Sequence, residues 1–369
     1  MKIPVSEPFV GELEIEYALD ALKTGWISGL KGKYIDQLEE GLSKYCEAKF
    51  GVACSSGTAA LQLATRVLDL GLGDEVIVPT FTNIASVLCI YYTGAKPVLI
   101  DAESDTWNMS TENLSKLITP KTKAILPVHI YGHPVNMIEV LKFAKENNLF
   151  VIEDCAEAHG AEVNGKKVGS FGDISCFSFY ANKIISTGEG GMVITDNSDY
   201  AKKARKLASL AFSDRDRYKH DYLGYNFRLS NVLAAIGVGQ LKQIDKFVEK
   251  KRWIAREYNR WLKDIEGIQI PVEKSWAKNV YWMYGILLND KFKKRRDELM
   301  KFLAENDVES RAFFVPMHKQ PAFHKVGLFV NESHPVSEQL GENGLYLPCS
   351  NKITQEQIEY ICNVIKKAS

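Results

Sequence analysis

The chain has 369 residues and a formal net charge of zero, because 46 cationic side chains balance 46 anionic ones. This balance excludes the basic surface that binding to nucleic acid needs, and it also excludes a strongly acidic tail. A chain of this length is long enough for one large domain and one smaller domain, each with its own hydrophobic core.

The seven cysteines are widely scattered and show no paired spacing of the kind that holds a metal ion. We therefore expect small buried side chains in a reducing compartment, and no metal site. The amino-terminal residues lack the apolar core of a signal peptide, and the longest apolar stretch, around 87–92, is too short to span a bilayer. The sequence predicts a soluble cytoplasmic protein that does not contact a membrane.

Strand and helix patterns alternate through the first half of the chain. The first forty residues are mostly helical in pattern, with breaks at Gly29 and Gly32. Helical segments at 57–68, 84–92 and 137–146 then separate apolar runs that read as strands. The predicted strands are 50–54, 75–79, 97–101, 124–128, 149–153 and 174–179. Such alternation predicts an α/β fold with a mainly parallel sheet and helices on both faces.

The pattern changes after about residue 228. Residues 231–261 read as one long helix, and short strands (281–288) and amphipathic helices (297–305 and 355–365) follow it. We predict a large α/β domain at 1–245 and a smaller α+β domain at 246–369. Since no flexible linker separates them, the two domains should pack tightly.

Lys183 follows the apolar run 174–179 and precedes a glycine-rich turn and a second apolar run, 192–195. The pattern predicts a strand, a short loop that carries the lysine, and another strand. An apolar surround disfavours the charged amine, which lowers the pKa of the lysine and makes it available for Schiff-base chemistry. The alternative is a solvated surface charge, as for most of the 46 cationic side chains.

A turn of small residues, Ser56, Gly57 and Thr58, opens the helix after the first predicted strand. The free N–H groups and the positive end of the helix dipole make such a turn a candidate phosphate site. An ordinary serine cap is the alternative interpretation.

Asp154 directly follows a strand of a predicted parallel sheet, at the edge where ligands bind in such sheets. The preceding Glu153 faces the other way, because side chains alternate along a strand. A helix cap or a surface carboxylate is the alternative. Pyridoxal phosphate needs three contacts of this kind. They are an acid for the pyridine nitrogen, an amine such as that of Lys183, and a helix start for the phosphate.

Seven runs, in order along the chain, resemble the sugar-nucleotide aminotransferases, which act on keto sugars in antibiotic and surface-polysaccharide pathways. The runs are 26–28 (WIS), 56–61 (SGTAAL), 73–79 (GDEVIVP), 128–133 (VHIYGH), 153–157 (EDCAE), 188–191 (GEGG) and 224–228 (GYNFR). So many ordered matches are specific, although one alone would be weak. The resemblance covers essentially the whole chain. It implies the pyridoxal-phosphate transferase fold of type I and a homodimer with shared active sites.

The resemblance also implies a role for individual residues. Lys183 matches the Schiff-base lysine, Asp154 the partner of the pyridine nitrogen, and Glu157 a residue near the ring hydroxyl of the cofactor. The implied phosphate contacts are Gly57, Thr58 and Ser178, together with Asn226, which would reach across from the other subunit.

Asn83 departs from the family pattern, since relatives usually carry an aromatic ring there that stacks on the cofactor. Losing the ring gives up a contact of about 1 kcal/mol, unless another ring substitutes. The segment 309–318 resembles the substrate end of these enzymes, where Arg311 or His318 would meet the sugar nucleotide. A structural arginine and an exposed histidine are the alternatives. Trp26 and Ser28 are further candidate substrate contacts.

These features favour an aminotransferase that uses L-glutamate to aminate a keto group on a nucleotide-linked deoxysugar. The run after Lys183 resembles enzymes that act at carbon 4, and the expected substrate is GDP-4-keto-6-deoxymannose. A dTDP- or UDP-linked 4-keto-6-deoxysugar is the alternative. A dehydratase with the same fold carries histidine at the lysine position, so Lys183 argues against that function. A cofactor-binding regulator without turnover is a third interpretation.

Overall fold

The computed structural model describes residues 2–213, 216 and 218–369. Within these residues the strands are β1 (Phe50–Cys54), β2 (Glu75–Pro79), β3 (Lys96–Ile100), β4 (Thr122–Ile125), β5 (Phe150–Asp154), β6 (Glu162–Val163), β7 (Lys166–Lys167), β8 (Ile174–Ser178), β9 (Gly191–Thr195), β10 (Ile268–Gln269), β11 (Ala277–Lys278), β12 (Tyr284–Leu288), β13 (Arg311–Ala312) and β14 (Gly344–Leu347).

The α-helices surround these strands. They are α1 (Glu12–Thr24), α2 (Lys33–Tyr45), α3 (Gly57–Val67), α4 (Ala85–Tyr91), α5 (Met137–Glu146), α6 (Ser198–Ala208), α7 (Asn231–Leu241), α8 (Ile244–Leu262), α9 (Arg296–Glu305), α10 (Pro321–Lys325), α11 (Pro335–Asn343) and α12 (Gln355–Ala368).

The central sheet has seven strands in the order β1-β9-β8-β5-β4-β2-β3. Strand β9 is antiparallel to both of its neighbours, and the pairs from β8 to β3 are all parallel. The prediction of a mainly parallel sheet is therefore confirmed. The predicted strand at 124–128 begins two residues earlier than expected, at Thr122.

Helices cover both faces of this sheet, as the alternation of buried side chains shows. Val76 and Val78 of β2 belong to one core together with α3, whereas Ile77 between them belongs to a second core with α5. The same split separates Ile152 from Val151 on β5. Because side chains alternate between faces, the two cores lie on opposite sides of the sheet.

A second sheet lies in the carboxyl-terminal part of the chain. Its four strands are antiparallel in the order β10-β12-β14-β13, and α9 packs against β14 and α12. A small third sheet, β11-β6-β7, joins this part of the chain to the segment after β5. The predicted domain boundary at 245/246 falls near the start of α8, and the division into two domains stays a prediction.

The prediction of one helix over 231–261 is wrong, because α7 ends at Leu241 and α8 begins at Ile244. The side chain of Gln243, between the helices, donates to Glu14 Oε1 at 2.8 Å and to the Gly239 carbonyl at 3.2 Å. Lysine and glutamine both favour helices, so the local sequence carries no break signal. The tertiary contact with α1 therefore sets the break.

All seven cysteines are buried and unpaired, as expected. Nowhere in the described ranges is a helix both long and apolar enough to cross a membrane.

Candidate active site

A cavity of about 340 Å³ lies at the edge of the central sheet where β5 and β8 end. This volume is typical of small-molecule sites. The structure brings seven of the predicted site residues together around it. They are Ser56, Gly57, Thr58, Asp154, Glu157, Ser178 and Lys183.

Lys183 lies in the connection between β8 and β9, in a tight turn closed by its own N–H, which donates to the Tyr180 carbonyl at 2.9 Å. Its side chain is only 10% exposed, with Nζ 3.9 Å from Glu157 Oε1 and 3.6 Å from the centroid of the Trp282 ring. Burial lowers the pKa of this amine, although the charges of Glu157 and Asp154 oppose the shift. The amine predicted from the sequence is therefore enclosed, as expected.

Asp154 is the last residue of β5 and is 3% exposed. Its carboxylate accepts hydrogen bonds from Ser86 Oγ at 2.8 Å and from the Ala156 N–H at 3.1 Å. Burial raises the pKa of Asp154, whereas the two hydrogen bonds and the charge of Lys183 favour its ionised form. The carboxyl group thus borders the cavity with acceptor capacity left for a ligand.

Glu153 points to the other face of β5, as strand alternation predicts. Its carboxylate accepts hydrogen bonds from three backbone N–H groups and from two side chains. The donors are the N–H groups of Gly169, Phe171 and Gly172, Oγ of Ser175 and Nε2 of His129. Burial would raise the pKa of Glu153, but these bonds, led by that from His129, lower it to about 2. Glu153 is therefore a structural carboxylate.

His129, Glu153 and Cys155 form a buried cluster with one potential metal-binding atom from each residue, all within 4.8 Å of one another. Both oxygens of Glu153 already accept hydrogen bonds from protein donors. The expectation that the protein has no metal site stays a prediction.

Glu157 is buried next to Lys183, and its Oε2 accepts a hydrogen bond from the Tyr131 N–H at 2.9 Å. Tyr131 adopts a left-handed backbone conformation with φ of 52°, which is strained for a residue other than glycine. Burial raises the pKa of Glu157, and Lys183 opposes this shift. The carboxyl and the amine are therefore close enough for the charge of each to shift the pKa of the other.

The start of α3 forms a cradle between three segments of backbone. Ser56 caps the helix by accepting the Ala59 N–H at 3.1 Å, and the earlier N–H groups have no acceptor within the helix. A Cβ atom on Gly57 would lie 2.6 Å from Ser178 Cβ, and one on Gly191 would lie 2.3 Å from the Ser56 carbonyl oxygen. These close approaches require glycine, and the N–H and hydroxyl donors of this cradle lie at the wall of the cavity.

Aromatic rings that the sequence did not indicate complete the wall of the cavity: Tyr180, Trp282, Phe314 and Tyr346. Asn83 also lines the cavity, but its side chain is engaged locally, accepting the Ala85 N–H at 3.0 Å. The wall of the cavity therefore contains four aromatic rings, although Asn83 provides none. The sequence gives no signal for the contacts of Trp282, Phe314 and Tyr346, since these residues lie far from Lys183 along the chain.

Five predicted residues lie outside this cavity, namely four exposed residues and the buried His318. Trp26, Ser28 and Asn226 are exposed. Arg311 is also exposed, and it lies opposite Tyr346, which lines the cavity, in the pairing of β13 with β14. None of these four exposed residues lines the cavity that contains Lys183 in the described part of the chain.

The structure does not support His318 as a substrate contact, and it is not an exposed histidine either. Its ring is fully buried, with Nδ1 2.8 Å from Thr80 Oγ1 and Nε2 3.0 Å from Glu338 Oε1. Both ring nitrogens are therefore engaged within the protein. His318 instead fixes the segment that follows Phe314 against the end of β2.

Comparison with known proteins identifies the family. The chain matches the DegT/DnrJ/EryC1/StrS aminotransferase family over residues 8–366. It belongs to that family. Aminotransferases of this family use pyridoxal phosphate, so the predicted cofactor and the predicted reaction class are confirmed.

Curated relatives extend over nearly the whole chain. The GDP-perosamine synthase of Escherichia coli O157:H7 is 42% identical over 365 residues, which cover 99% of this chain and 98% of the relative. The GDP-perosamine synthase of Vibrio cholerae is 41% identical over 364 residues, with the same coverage.

Solved structures confirm the predicted fold type. DesV of S. venezuelae superposes with a TM-score of 0.91 at 31% identity, covering 99% of this chain and 98% of its own. The sugar aminotransferase Spr1654 of Streptococcus pneumoniae in its PLP form has a TM-score of 0.92 at 27% identity, with both chains fully covered. The protein is therefore a fold type I aminotransferase with a sugar substrate and an amino donor.

Proposed function

We propose that this aminotransferase converts GDP-4-keto-6-deoxymannose to GDP-perosamine with L-glutamate as the donor. The observation that carries the proposal is the match to three GDP-perosamine synthases at 39–42% identity over nearly the full chain. Relatives named for amination at carbon 3 are less similar, at 38% and 35%. In the reaction, the amino group, a proton and an electron pair pass from glutamate to carbon 4. The keto oxygen of the sugar leaves as water, and a water molecule supplies the keto oxygen of the 2-oxoglutarate that is released.

The cavity fits pyridoxal phosphate by shape and by donor set. Glycine at positions 57 and 191 opens the cradle at the start of α3, where Ser56, Thr58 and Ser178 would hold the phosphate. Asp154, steadied by Ser86, would hold the ring nitrogen in its protonated form. When bound, the cofactor supplies an electron-withdrawing ring that stabilises negative charge on the carbon that loses its proton.

Lys183 would move the proton. Burial lowers the pKa of this amine and so favours its neutral form, in which Nζ can accept the proton from the α-carbon of glutamate. The same Nζ can then deliver a proton to carbon 4 of the sugar. Glu157, 3.9 Å away, would hold the amine in place between the two transfers.

We also propose a homodimer whose subunits complete each other's sites. Lys183 is the only cationic side chain among the described residues that line the cavity, yet glutamate and a nucleotide diphosphate are both anionic. In addition, α1 exposes Ile15, Leu19 and Leu22 on one helical stripe, and Trp26 follows them. An apolar stripe of this kind is typical of a subunit interface. Asn226, exposed here, would contact the phosphate bound in the other subunit.

We place the protein in the cytoplasm, because seven unpaired cysteines favour a reducing compartment.

The substrate proposal is tested by supplying glutamate together with GDP-4-keto-6-deoxymannose or the dTDP-linked 4-keto-6-deoxyglucose. Mass spectrometry measures the aminated product, and NMR locates the new amine. We expect amination at carbon 4 with preference for the GDP-linked sugar. Preference for the dTDP-linked sugar would contradict the nucleotide assignment alone, and an amine at carbon 3 would contradict the whole proposal.

A further inference from the structure

Lys251 of α8 is a buried ammonium group that faces carbonyl oxygens. The residue is 4% exposed, and its Nζ donates to the carbonyls of Trp282 at 3.0 Å and Cys349 at 2.6 Å. Within the described ranges no carboxylate forms a salt bridge with it. Burying a charge without a counter-ion is unfavourable, so a lysine here needs a reason beyond packing.

Trp282 links this ammonium to the candidate active site. Its Nε1–H donates to the Asn182 carbonyl at 2.7 Å, and Asn182 directly precedes Lys183. Its ring centroid lies 3.6 Å from Lys183 Nζ. One indole therefore holds both the turn that carries the lysine and the amine at the end of the side chain.

Lys251 itself stays behind the turn. It lines a second cavity, of about 20 Å³, together with Asn182 and Lys183, and it does not line the larger one. Its hydrogen bonds go to Trp282 and Cys349 rather than to Lys183, so it is placed to act on Lys183 through Trp282. The two carbonyls that it binds lie just before β12 and just after β14, so α8 and both strands are fixed at one point.

We propose that Lys251 is a positioning residue for Lys183. Its ammonium group fixes the backbone of Trp282, and the indole of Trp282 in turn fixes the turn and the amine. The inference deepens the proposed function, on which it rests for the catalytic role of Lys183.

The test compares the variants Lys251→Met and Trp282→Phe with the double variant. Brief acetylation of the cofactor-free protein with acetic anhydride, followed by mass spectrometry, measures the exposure of the Lys183 amine without any sugar substrate. We expect each single variant to raise the acetylation rate of Lys183 several-fold. We expect kcat to fall about 10- to 100-fold while KM changes little, because misplacing a reacting group acts mainly on the chemical step.

The double variant separates positioning from general damage. If Lys251 acts through Trp282, the double variant should be no worse than the more impaired single variant. Lys250→Met is the matched control. Lys250 lies next to Lys251 on α8, but its Nζ donates to the Ile353 carbonyl, so this variant should leave both measurements unchanged.

An unchanged acetylation rate in Lys251→Met, or effects that multiply in the double variant, would overturn the proposal. If Lys251→Met folds poorly, Lys251→Gln is the second variant, because it keeps an N–H donor group on a shorter, neutral side chain. It should show an intermediate acetylation rate, and a wild-type rate would again overturn the proposal. If neither sugar nucleotide is aminated but the variants show the expected rise in acetylation of Lys183, only the proposed substrate is contradicted.

Discussion

The two faces of β5 carry neighbouring carboxylates that are equally buried and differently used. On the closed face, Glu153 is 0% exposed and accepts five hydrogen bonds, and its pKa falls to about 2. On the open face, Asp154 is 3% exposed and accepts two, and its pKa is raised.

The comparison teaches that burial alone does not define a functional carboxylate. Burial raises the pKa of both groups, and the number of donors decides the net direction. A carboxylate whose acceptor positions are all used stabilises the fold, whereas one with capacity left can bind a ligand. Variants on the open face should therefore change activity, and variants on the closed face should change stability.

Lys183→Ala, on the open face, should have the largest effect. Loss of the amine that moves the proton should lower kcat by about 10²–10⁴-fold. The visible absorbance of the bound cofactor should also be lost on dialysis. The free energy of unfolding should not fall, because the substitution removes an amine whose burial is unfavourable. Lys202→Ala, at an exposed lysine of α6, is the control. Retention of a tenth of the activity would place the reactive amine elsewhere.

Asp154→Asn should lower kcat by about 10²–10³-fold, the loss expected when one charged contact of a site is removed. The change keeps the shape and the hydrogen bond from Ser86 but removes the negative charge. The substitution should change the free energy of unfolding by less than about 1 kcal/mol, as measured by thermal unfolding. A strongly destabilised variant with normal activity would reverse the roles of the two faces.

Glu153→Gln should show the opposite pattern. The folded pKa of about 2 against an ordinary value of 4.5 corresponds to about 3 kcal/mol of stability near neutral pH. Denaturant unfolding should detect a loss of that order, while activity per folded molecule stays within about threefold. An inactive but fully stable Glu153→Gln protein would remove the distinction between the faces.

The pH dependence of stability sharpens the same test. Because the folded pKa of Glu153 is depressed, the unfolded chain binds the proton first as the pH falls below about 4.5. The contribution is therefore fully present above that pH and is lost toward pH 2. Glu153→Gln should flatten the decrease in unfolding free energy across this window. A curve parallel to that of the wild type would show that other groups control acid unfolding.

Ser86→Ala should have an intermediate effect on the open face. It removes the 2.8 Å hydrogen bond to Asp154 and leaves the one from the Ala156 N–H. A hydrogen bond to a charged group is worth about 1.5–3 kcal/mol, so kcat should fall roughly tenfold or more. Ser86→Thr, which keeps the hydroxyl, should recover most of the rate. Equal rates for the alanine and threonine variants would show that the hydroxyl is not what matters.

Asn83→Tyr should have the smallest effect, on cofactor affinity rather than on rate. A ring restored at this position should tighten cofactor binding about fivefold, equivalent to about 1 kcal/mol. Fluorescence titration of the cofactor-free protein measures this affinity. Asn83→Ala controls for the lost hydrogen bond to the Ala85 N–H. Unchanged affinity would indicate that another ring of the wall already provides the stacking.

The sequence was sufficient for the parts of the site that local patterns specify. These patterns are a lysine between two apolar runs, an acid at the end of a strand and a small-residue turn before a helix. Each can be recognised without tertiary information. The structure places Lys183, Asp154 and Gly57 around one cavity as those patterns predicted.

Contacts made across the fold could not be predicted in this way. Trp282 and Tyr346 reach the cavity from the carboxyl-terminal part of the chain, and nothing in their local sequence distinguishes them from core aromatics. The burial of His318 could not be predicted for the same reason, since its two partners, Thr80 and Glu338, are distant in sequence. The interruption between α7 and α8 likewise depends on a contact with Glu14.

The distribution of the wall residues has a consequence for biosynthesis of the protein. A ribosome has completed Asp154 and Lys183 long before it adds Trp282 and Tyr346, which close the cavity. A nascent chain therefore carries the Lys183 amine before the wall that encloses it has been made. We therefore expect tight retention of the cofactor only after translation has passed Tyr346 and this part of the chain has folded onto the cavity.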